Sequence, residues 1–391
     1  MQKSDDSIYT LQFGLVCLSS FLFSASFNML IPELPSYLTS MGGAEYKGLI
    51  IALFTLTAGI SRPFSGMLTD KIGRIPVMAV GSIVCFLCGF MYPILTTVAG
   101  FLFLRLLHGF STGFKPTATA AYIADIVPNH RMGEAMGAHG VFFTTGLAIG
   151  PAIGSTITAH YSIDILFYCS SLFALLSIVI LANMKETLAD RQKFRFGLLK
   201  LRASDIIEWR VIPACVIIFM SYISYGAILT VVADWSNHLG TSNKGLFFVV
   251  FTLTSLLIRF VAGKVSDQYG RVLIMKISLG LLAVAMVWIG FSSSSLSLLC
   301  ASALYGIATG MLSPTATAWT IDLSHPEHRG KAMATMYIAL EAGIGIGALL
   351  AGWFFINDFS MIPVIFYCCA GVTILALVYL QYIYKKAEIK A

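Results

Sequence analysis

The chain has 391 residues, of which 57% are hydrophobic and 11% are charged, and its mean hydropathy is +0.83. A soluble domain carries roughly 25% charged residues, so this composition excludes a water-soluble fold. The formal net charge of +6 comes from 25 basic and 19 acidic residues and would suit a nucleic-acid partner, unless the basic residues have another explanation.

Apolar stretches of about 20 residues, each sufficient to cross a ~30 Å hydrocarbon core, recur along the whole chain. They predict twelve membrane-spanning helices. The predicted spans are 11–37, 47–69, 75–94, 98–124, 133–159, 163–184, 211–236, 244–267, 272–292, 296–320, 331–356 and 360–384. The first is longer than the apolar core of a signal peptide, so we expect it to remain in the protein.

Basic residues fall mainly on one side of these spans. If the amino terminus is cytoplasmic, the outward loops hold only Lys47 and Lys244. This is the positive-inside asymmetry, and it predicts a multi-pass inner-membrane protein with both termini in the cytoplasm. Because topology accounts for the basic residues, we expect the lipid bilayer and no nucleic acid as a partner.

The two halves of the chain repeat each other. GMLTDKIGR at 66–74 recurs as GKVSDQYGR at 263–271, and GLAIG at 146–150 matches GIGIG at 343–347, in both cases 197 residues later. Such matches predict an internal duplication. We therefore expect an N-terminal six-helix bundle at 1–184, a cytoplasmic linker at 185–210 and a C-terminal six-helix bundle at 211–391.

The loop after the second span has the spacing G-x-x-x-D-x-x-G-R from Gly66 to Arg74. This motif, the twelve spans and the repeat resemble the major facilitator superfamily, in particular its drug:proton antiporters and arabinose-efflux permeases. Ile75 departs from the family, which has a second basic residue there. The resemblance implies an all-α integral membrane fold of two six-helix repeats, with a solute site between the halves and alternating access.

In the superfamily this loop acts as a conformational latch. The alternative is a plain turn with a charge that directs topology. The residues to which the resemblance assigns the latch are Gly66, Asp70, Gly73 and Arg74, with Asp267 and Arg271 in the repeat.

Span four contains R-x-x-H-G from Arg105, which resembles the family's proton-antiporter motif with His108 in place of the usual glutamine. Arg105 lies roughly 10 Å from the end of its span, where an arginine is costly unless it faces a wet cavity or a partner. Its repeat counterpart is Ser302, so the fold itself does not need arginine. We assign proton coupling to Arg105 and His108, with a structural pair as the alternative.

Span five carries G-x-x-x-G-P-x-x-G, which resembles the motif that marks antiporters within the superfamily, with Ser155 in place of a final glycine. Small residues four apart let helices approach closely. The motif favours export over uptake. Its residues are Gly146, Gly150, Pro151 and Gly154.

Glu341 is the carboxylate near a membrane midplane, roughly 15 Å into span eleven. We predict that it carries the coupled proton, with Arg105 as its neighbour, and the alternative is a hydrogen bond between helices. For Lys115 in span four, both a path to the headgroups and solute binding remain open. Five polar or aromatic residues are weaker candidates for lining a central cavity, and ordinary packing is the alternative for each: Asn28, Glu33, Tyr222, Tyr225 and Tyr305.

The sequence therefore predicts a monomeric, proton-coupled exporter of small organic solutes, drug-like or sugar-like. The alternatives are a proton-coupled uptake symporter, which the span-five motif disfavours, and a non-transporting receptor. No nucleophile or metal motif supports an enzyme, and no phosphate-binding loop supports an ATP-driven pump. Cys85 and Cys88 have C-x-x-C spacing but no second pair, so we expect no metal and no cofactor.

Overall fold

The structure is a computed structural model that describes residues 8–128, 132–200, 207–241, 243–324 and 329–388. In these ranges the chain forms α-helices and short 3-10 turns, with no strand. The helices are α1 (Leu11–Asn28), α2 (Leu34–Ser40), α3 (Lys47–Lys71), α4 (Arg74–Met91), α5 (Val98–Ile126), α6 (Met132–His160), α7 (Ile163–Ala182), α8 (Ile212–His238), α9 (Leu246–Tyr269), α10 (Arg271–Phe291), α11 (Ser295–Leu323), α12 (Arg329–Phe355) and α13 (Met361–Glu388).

Each predicted span coincides with a helix, and the all-α membrane fold is confirmed. Ten helices in the described ranges are long and apolar enough to cross a membrane. With 29 and 24 residues, α5 and α9 are also long enough to cross a membrane, and α5 carries Arg105 and Lys115 within its length.

The first predicted span differs from the expectation because it is broken. α1 ends at Asn28, a turn follows, and α2 begins at Leu34. Pro32 lies in the turn and Pro35 lies in the first turn of α2. Proline lacks the amide hydrogen that a continuous helix needs and clashes with the preceding turn, so the chain stops one helix and starts another. The break places Glu33 at a helix start.

The repeat extends to the helix caps. The side chain of Thr97 accepts a hydrogen bond from Gly100 N at the start of α5, and the side chain of Ser294 accepts one from Ser297 N at the start of α11. The two capping residues are 197 positions apart. Each satisfies an otherwise unpaired amide of the first turn, so corresponding spans begin in the same way.

The span-five glycines pack α6 directly on the backbone of α1. A Cβ at Gly146 would lie 2.6 Å from the carbonyl oxygen of Phe21, and one at Gly154 would overlap the carbonyl oxygen of Met29. The repeat makes the same contact, because a Cβ at Gly347 of α12 would overlap a carbonyl oxygen of α8. Glycine is required here because no side chain fits between the helices.

This packing predicts that Gly154→Ala lowers thermal stability, because the added methyl group forces α6 away from α1. We expect a loss of roughly 1–3 kcal/mol, measured as a lower midpoint of thermal unfolding in detergent. Gly140→Ala is the matched control on the same helix, since a Cβ there meets nothing within 4 Å. Equal midpoints for the two variants would contradict the packing role.

Candidate functional site

The two halves meet along a seam between α3 and α12. Gly48 of α3 lies so close to Gly352 of α12 that a Cβ on either would overlap the other helix. About two turns further along, a Cβ at Gly345 would lie 2.7 Å from Thr55 Oγ1, and the seam continues to Gly59 beside Glu341. The contact therefore runs from the predicted outer end to the middle of the bundle.

An ion pair joins the halves at the inner end of this seam. Arg62 Nη2 of α3 donates a hydrogen bond to Glu341 Oε1 of α12 at 2.6 Å, and the two side chains are 14% and 10% exposed. The guanidinium carbon of Arg62 lies 4.7 Å from the centre of the Tyr337 ring. Arg62 Nε is buried and has no hydrogen-bond partner among the described groups. Glu341 is thus the main polar anchor of this arginine.

The structure does not bring Glu341 together with Arg105, which is where it departs from the sequence prediction. Arg105 is buried inside the N-terminal half, where its Nε donates to Ile50 O at 2.9 Å and its Nη1 to Tyr92 Oη at 3.3 Å. Its guanidinium carbon lies 4.6 Å from the Phe54 ring centre. Because Ile50, Tyr92 and Phe54 all belong to the N-terminal half, the described contacts of Arg105 lie within its own half.

His108 belongs to the same buried group as Arg105. Its Nδ1 lies 3.2 Å from Tyr92 Oη and its Nε2 lies 3.2 Å from Cys85 Sγ. Arg105, Tyr92, His108 and Cys85 therefore form a continuous polar chain inside the N-terminal half. The sequence pattern gave no sign of Tyr92, because tyrosine in an apolar span is usually ordinary packing.

Two further ion pairs join the halves at the predicted outer end. Lys47 Nζ donates to Asp234 Oδ2 at 2.5 Å and to Asn357 Oδ1 at 2.5 Å. Lys244 Nζ lies 3.2 Å from Glu33 Oε2. Lys47 and Lys244 are 197 residues apart, so each repeat contributes one lysine that binds an acid of the other half. We call Lys47–Asp234 and Lys244–Glu33 the outer ion pairs.

Around Glu33 the second half also approaches α6. Ser155 Oγ donates to Glu33 Oε1 at 2.9 Å, and Asn243 Nδ2 donates to Ala152 O at 3.1 Å. A Cβ at Gly245 would overlap the backbone of Pro151. The span-five motif therefore borders the contact between the halves as well as α1.

The predicted latch residues lie at the opposite end of the bundle. Arg74 Nε donates to Asp125 Oδ2 at 2.9 Å, and its Nη1 lies 3.3 Å from Asp70 Oδ1. Gly73 has φ +131°, a conformation that favours glycine, and Glu186 of the linker accepts hydrogen bonds from the Arg74 and Ile75 amides at 3.0 Å. The Arg74 side chain thus has closer partners than Asp70, namely Asp125 at the end of α5 and Thr69 O at 2.7 Å, while its backbone amide binds the linker.

The repeat reproduces part of this arrangement. Arg271 Nε donates to Asp322 Oδ2 at 3.2 Å, and Asp322 ends α11 as Asp125 ends α5. The side chain of Asp267 lies outside the described residues. A Cβ at Gly66 would meet nothing within 4 Å. Asp125 and Asp322 are 197 residues apart, so their equivalent positions in the repeat are a signal that the sequence contains.

The candidate cavity residues divide between the halves. Tyr222 and Tyr225 of α8 lie with ring centres 6.2 Å apart, and Tyr222 and Tyr305 line a cavity of about 10 Å³, which is room for one water molecule. Asn28 is buried in α1 and donates to Ser24 O at 2.8 Å, away from these rings.

Lys115 neither reaches the headgroups nor faces the seam. It is 1% exposed, and its Nζ donates to Ser19 O at 3.1 Å, to Ser19 Oγ at 2.9 Å, to Ser82 Oγ at 3.0 Å and to Ser177 Oγ. The Phe23 ring centre lies 4.8 Å away. Serines of three helices therefore hold this cation inside the N-terminal half.

Two repeated halves that meet along one seam, with ion pairs between them, define a polytopic membrane carrier. A sequence model of the Major Facilitator Superfamily matches residues 16–212 and 214–390. The chain belongs to the major facilitator superfamily, whose members are multi-pass membrane transporters of small molecules and are not enzymes.

Relatives and solved structures agree with this membership. The chain is 25% identical over 343 residues to the multi-drug resistance efflux pump PmrA homolog of Lactococcus lactis, covering 84% of each protein. It is 26% identical over 367 residues to the quinolone resistance protein NorA of Staphylococcus aureus, covering 89% of each. A crystal structure of a D-xylose-proton symporter superposes with a TM-score of 0.74 at 16% identity, covering 94% of this chain and 96% of that chain, which shows the shared fold.

The outer ion pairs predict a measurable effect on access to the seam. In a background without native cysteines, a cysteine at Thr55, which is 5% exposed, should react slowly with a polar thiol reagent. Adding Lys47→Gln and Lys244→Gln should raise that rate roughly fivefold or more, because two ion pairs of up to about 1 kcal/mol each no longer join the halves. Lys193→Gln, on the exposed linker, is the control, and an unchanged rate in the double variant would exclude a closing role.

Proposed function

We propose that this carrier is a proton-coupled antiporter that exports small organic solutes by alternating access. The observation that carries the proposal is the Arg62–Glu341 ion pair, which joins the two halves near mid-membrane. Ionisable residues at this depth are costly unless they pair or face water. A pair that bridges the two moving bodies can therefore link protonation to their relative position.

The link works because the pair exists only when Glu341 is ionised. A proton on Glu341 removes the charge that holds Arg62, so α3 and α12 lose their innermost polar contact. The conformation with the seam closed then becomes less stable relative to the alternative. A proton that binds from one side and leaves from the other can thus bias the alternation.

Exchange requires that proton and solute do not occupy the carrier together. Ionised Glu341 can accept a hydrogen bond or pair with a positively charged group of a solute, and protonated Glu341 loses this capacity. Binding of one therefore opposes binding of the other, which is the thermodynamic requirement for antiport. The small-residue packing of α6 against α1, typical of the antiporter motif, supports export.

The remaining residues take supporting roles in the same cycle. The outer ion pairs close the predicted outer end, and Arg74 with Asp70 and Asp125 holds the cytoplasmic latch. The buried chain of Arg105 and His108 keeps the N-terminal half rigid as it moves. In this scheme both termini and the linker at 185–210 lie in the cytoplasm, and the halves at 1–184 and 211–391 move as bodies in the inner membrane.

The solute class follows from the relatives and from the rings near Glu341. Relatives are named as multidrug and quinolone resistance pumps. The Tyr337 ring lies over Arg62, the ion-pair partner of Glu341, and Tyr222 and Tyr225 lie on α8 with ring centres 6.2 Å apart. Amphipathic rings suit flat, partly apolar molecules. We therefore propose drug-like aromatic solutes that carry a hydrogen-bond donor or a positive charge.

The proposal predicts that Glu341→Gln abolishes proton-driven accumulation of the quinolone norfloxacin in inside-out proteoliposomes with a pH gradient. Exchange of norfloxacin between equal concentrations on both sides should continue, because the amide keeps the side-chain volume but carries no proton. We expect at least a tenfold loss of accumulation.

Asp190→Asn is the matched control, since this exposed carboxylate lies in the linker outside the seam and should leave accumulation unchanged. Wild-type accumulation by Glu341→Gln would show that another group carries the proton.

A further inference from the structure

A second arginine lies deep in a membrane span, at the position of the C-terminal half that corresponds to Arg62. Arg259 of α9 is 197 residues after Arg62 of α3. It lies 13 residues after the start of α9 and 10 residues before its end, or roughly 15–20 Å from either end. An arginine at this depth is costly unless it pairs or faces water.

The two equivalent arginines differ in what surrounds them. Arg62 has the Glu341 carboxylate at 2.6 Å and the centre of the Tyr337 ring at 4.7 Å. The side chain of Arg259 is exposed, and within the described part of the chain no residue forms a hydrogen bond or an ion pair with it. Arg259 is therefore a cation whose charge no described side chain balances.

The residues of α6 account for this difference. Glu341 and Tyr337 of α12 correspond, 197 residues earlier, to Thr144 and Gly140 of α6. At this level α6 thus carries neither the carboxylate nor the ring that Arg62 contacts. A Cβ at Gly140 would meet nothing within 4 Å, so the space beside it is open.

Arg259, Gly140 and Thr144 lie on the faces along which α6 and α9 approach each other. At the predicted outer end these helices touch, because a Cβ at Gly245 would overlap the backbone of Pro151. Arg259 is 14 residues after Gly245, and Thr144 and Gly140 are 7 and 11 residues before Pro151, which are all close to whole numbers of helical turns. The helices therefore separate toward the predicted inner end, and we call the space bordered by Arg259, Gly140 and Thr144 the inner gap.

The exposure of Arg259 is to this gap and not to lipid. Leu253 and Leu257 are 50% and 68% exposed and mark the side of α9 that faces hydrocarbon. At about 100° per residue, Arg259 lies roughly 120–160° around the helix from these leucines. Its charge is thus presented to the space between the two halves.

A guanidinium in such a gap favours a planar anion. Its parallel N–H groups can bind both oxygens of a carboxylate, and the low dielectric of the surrounding bundle strengthens the attraction. Arg62 already binds a carboxylate at the equivalent position of the repeat. Because α6 offers Arg259 none, a carboxylate of the solute can take the place that Glu341 takes beside Arg62.

We propose that Arg259 binds the carboxylate of the transported solute in the inner gap. This inference rests on the proposed function and narrows its solute class to aromatic acids that also carry a hydrogen-bond donor or a positive charge. The acid contacts Arg259, and the other polar group of the solute is left for Glu341.

Binding of norfloxacin and of its ethyl ester to the full-length protein in detergent tests the proposal, since the ester keeps the ring system and the amine but has no carboxylate. Isothermal titration calorimetry at neutral pH measures both affinities. Wild type should bind the acid roughly tenfold more tightly than the ester, as expected for one hydrogen bond between charged groups. Arg259→Gln should bind the two alike, and Arg259→Lys should keep part of the preference.

Two substitutions at Thr144 provide a test in which Arg259 is intact. Thr144→Glu places a carboxylate where the repeat has Glu341, so it should pair with Arg259 and abolish the preference for the acid. Thr144→Gln has nearly the same size without the charge and should keep the preference. Arg191→Gln, which changes an exposed arginine of the linker, is the matched control and should bind both ligands as wild type does.

The proposal is wrong if wild type binds acid and ester alike, or if folded Arg259→Gln or Thr144→Glu keeps the wild-type preference. These results would leave the proton coupling standing, because binding in detergent needs no pH gradient. Absence of any norfloxacin binding would overturn both this proposal and the solute class given above. Wild-type accumulation by Glu341→Gln would overturn the assigned proton carrier alone.

Discussion

The arrangement of this transporter depends on one ion pair, Arg62 with Glu341, placed where two bodies meet inside a membrane. Removing two charges from water is costly, and only close pairing offsets that cost. Each partner comes from a different half, so the cost is recovered only when the halves are together. The energy of this one ion pair therefore depends on whether the two halves are together.

The close packing inside each half makes that half rigid, so the Arg62–Glu341 contact depends on how the two halves are placed. Within each half, glycines bring α6 onto α1 and α12 onto α8 with no space for a side chain, and Lys115 is held among serines of the same half. Packing this close leaves few alternative arrangements inside a half. In the proposed cycle, motion is therefore concentrated at the seam and the outer ion pairs, where polar contacts can break and re-form.

Much of this architecture could be predicted from the sequence, because the spans and the repeat follow from apolar length and self-similarity, and the orientation indicated by lysine placement stays a prediction. The partner of Glu341 could not. Arg105 and Arg62 are both arginines within spans, and sequence alone does not say which face of a helix meets the other half. The sequence shows that Lys47 and Lys244 occupy equivalent positions of the repeat. Their ion-pair partners Asp234 and Glu33, however, lie in segments that only folding brings near them.

The most direct test of the account measures the conformation as Glu341 gains a proton. Spin labels at Asn183 and Tyr269, two exposed positions at the predicted cytoplasmic end of different halves, report the separation of the halves by electron-electron resonance. The account predicts that acidification shifts the wild-type distance distribution, and that Glu341→Gln gives the acidic distribution at every pH. An unchanged pH-dependent shift in Glu341→Gln would contradict it.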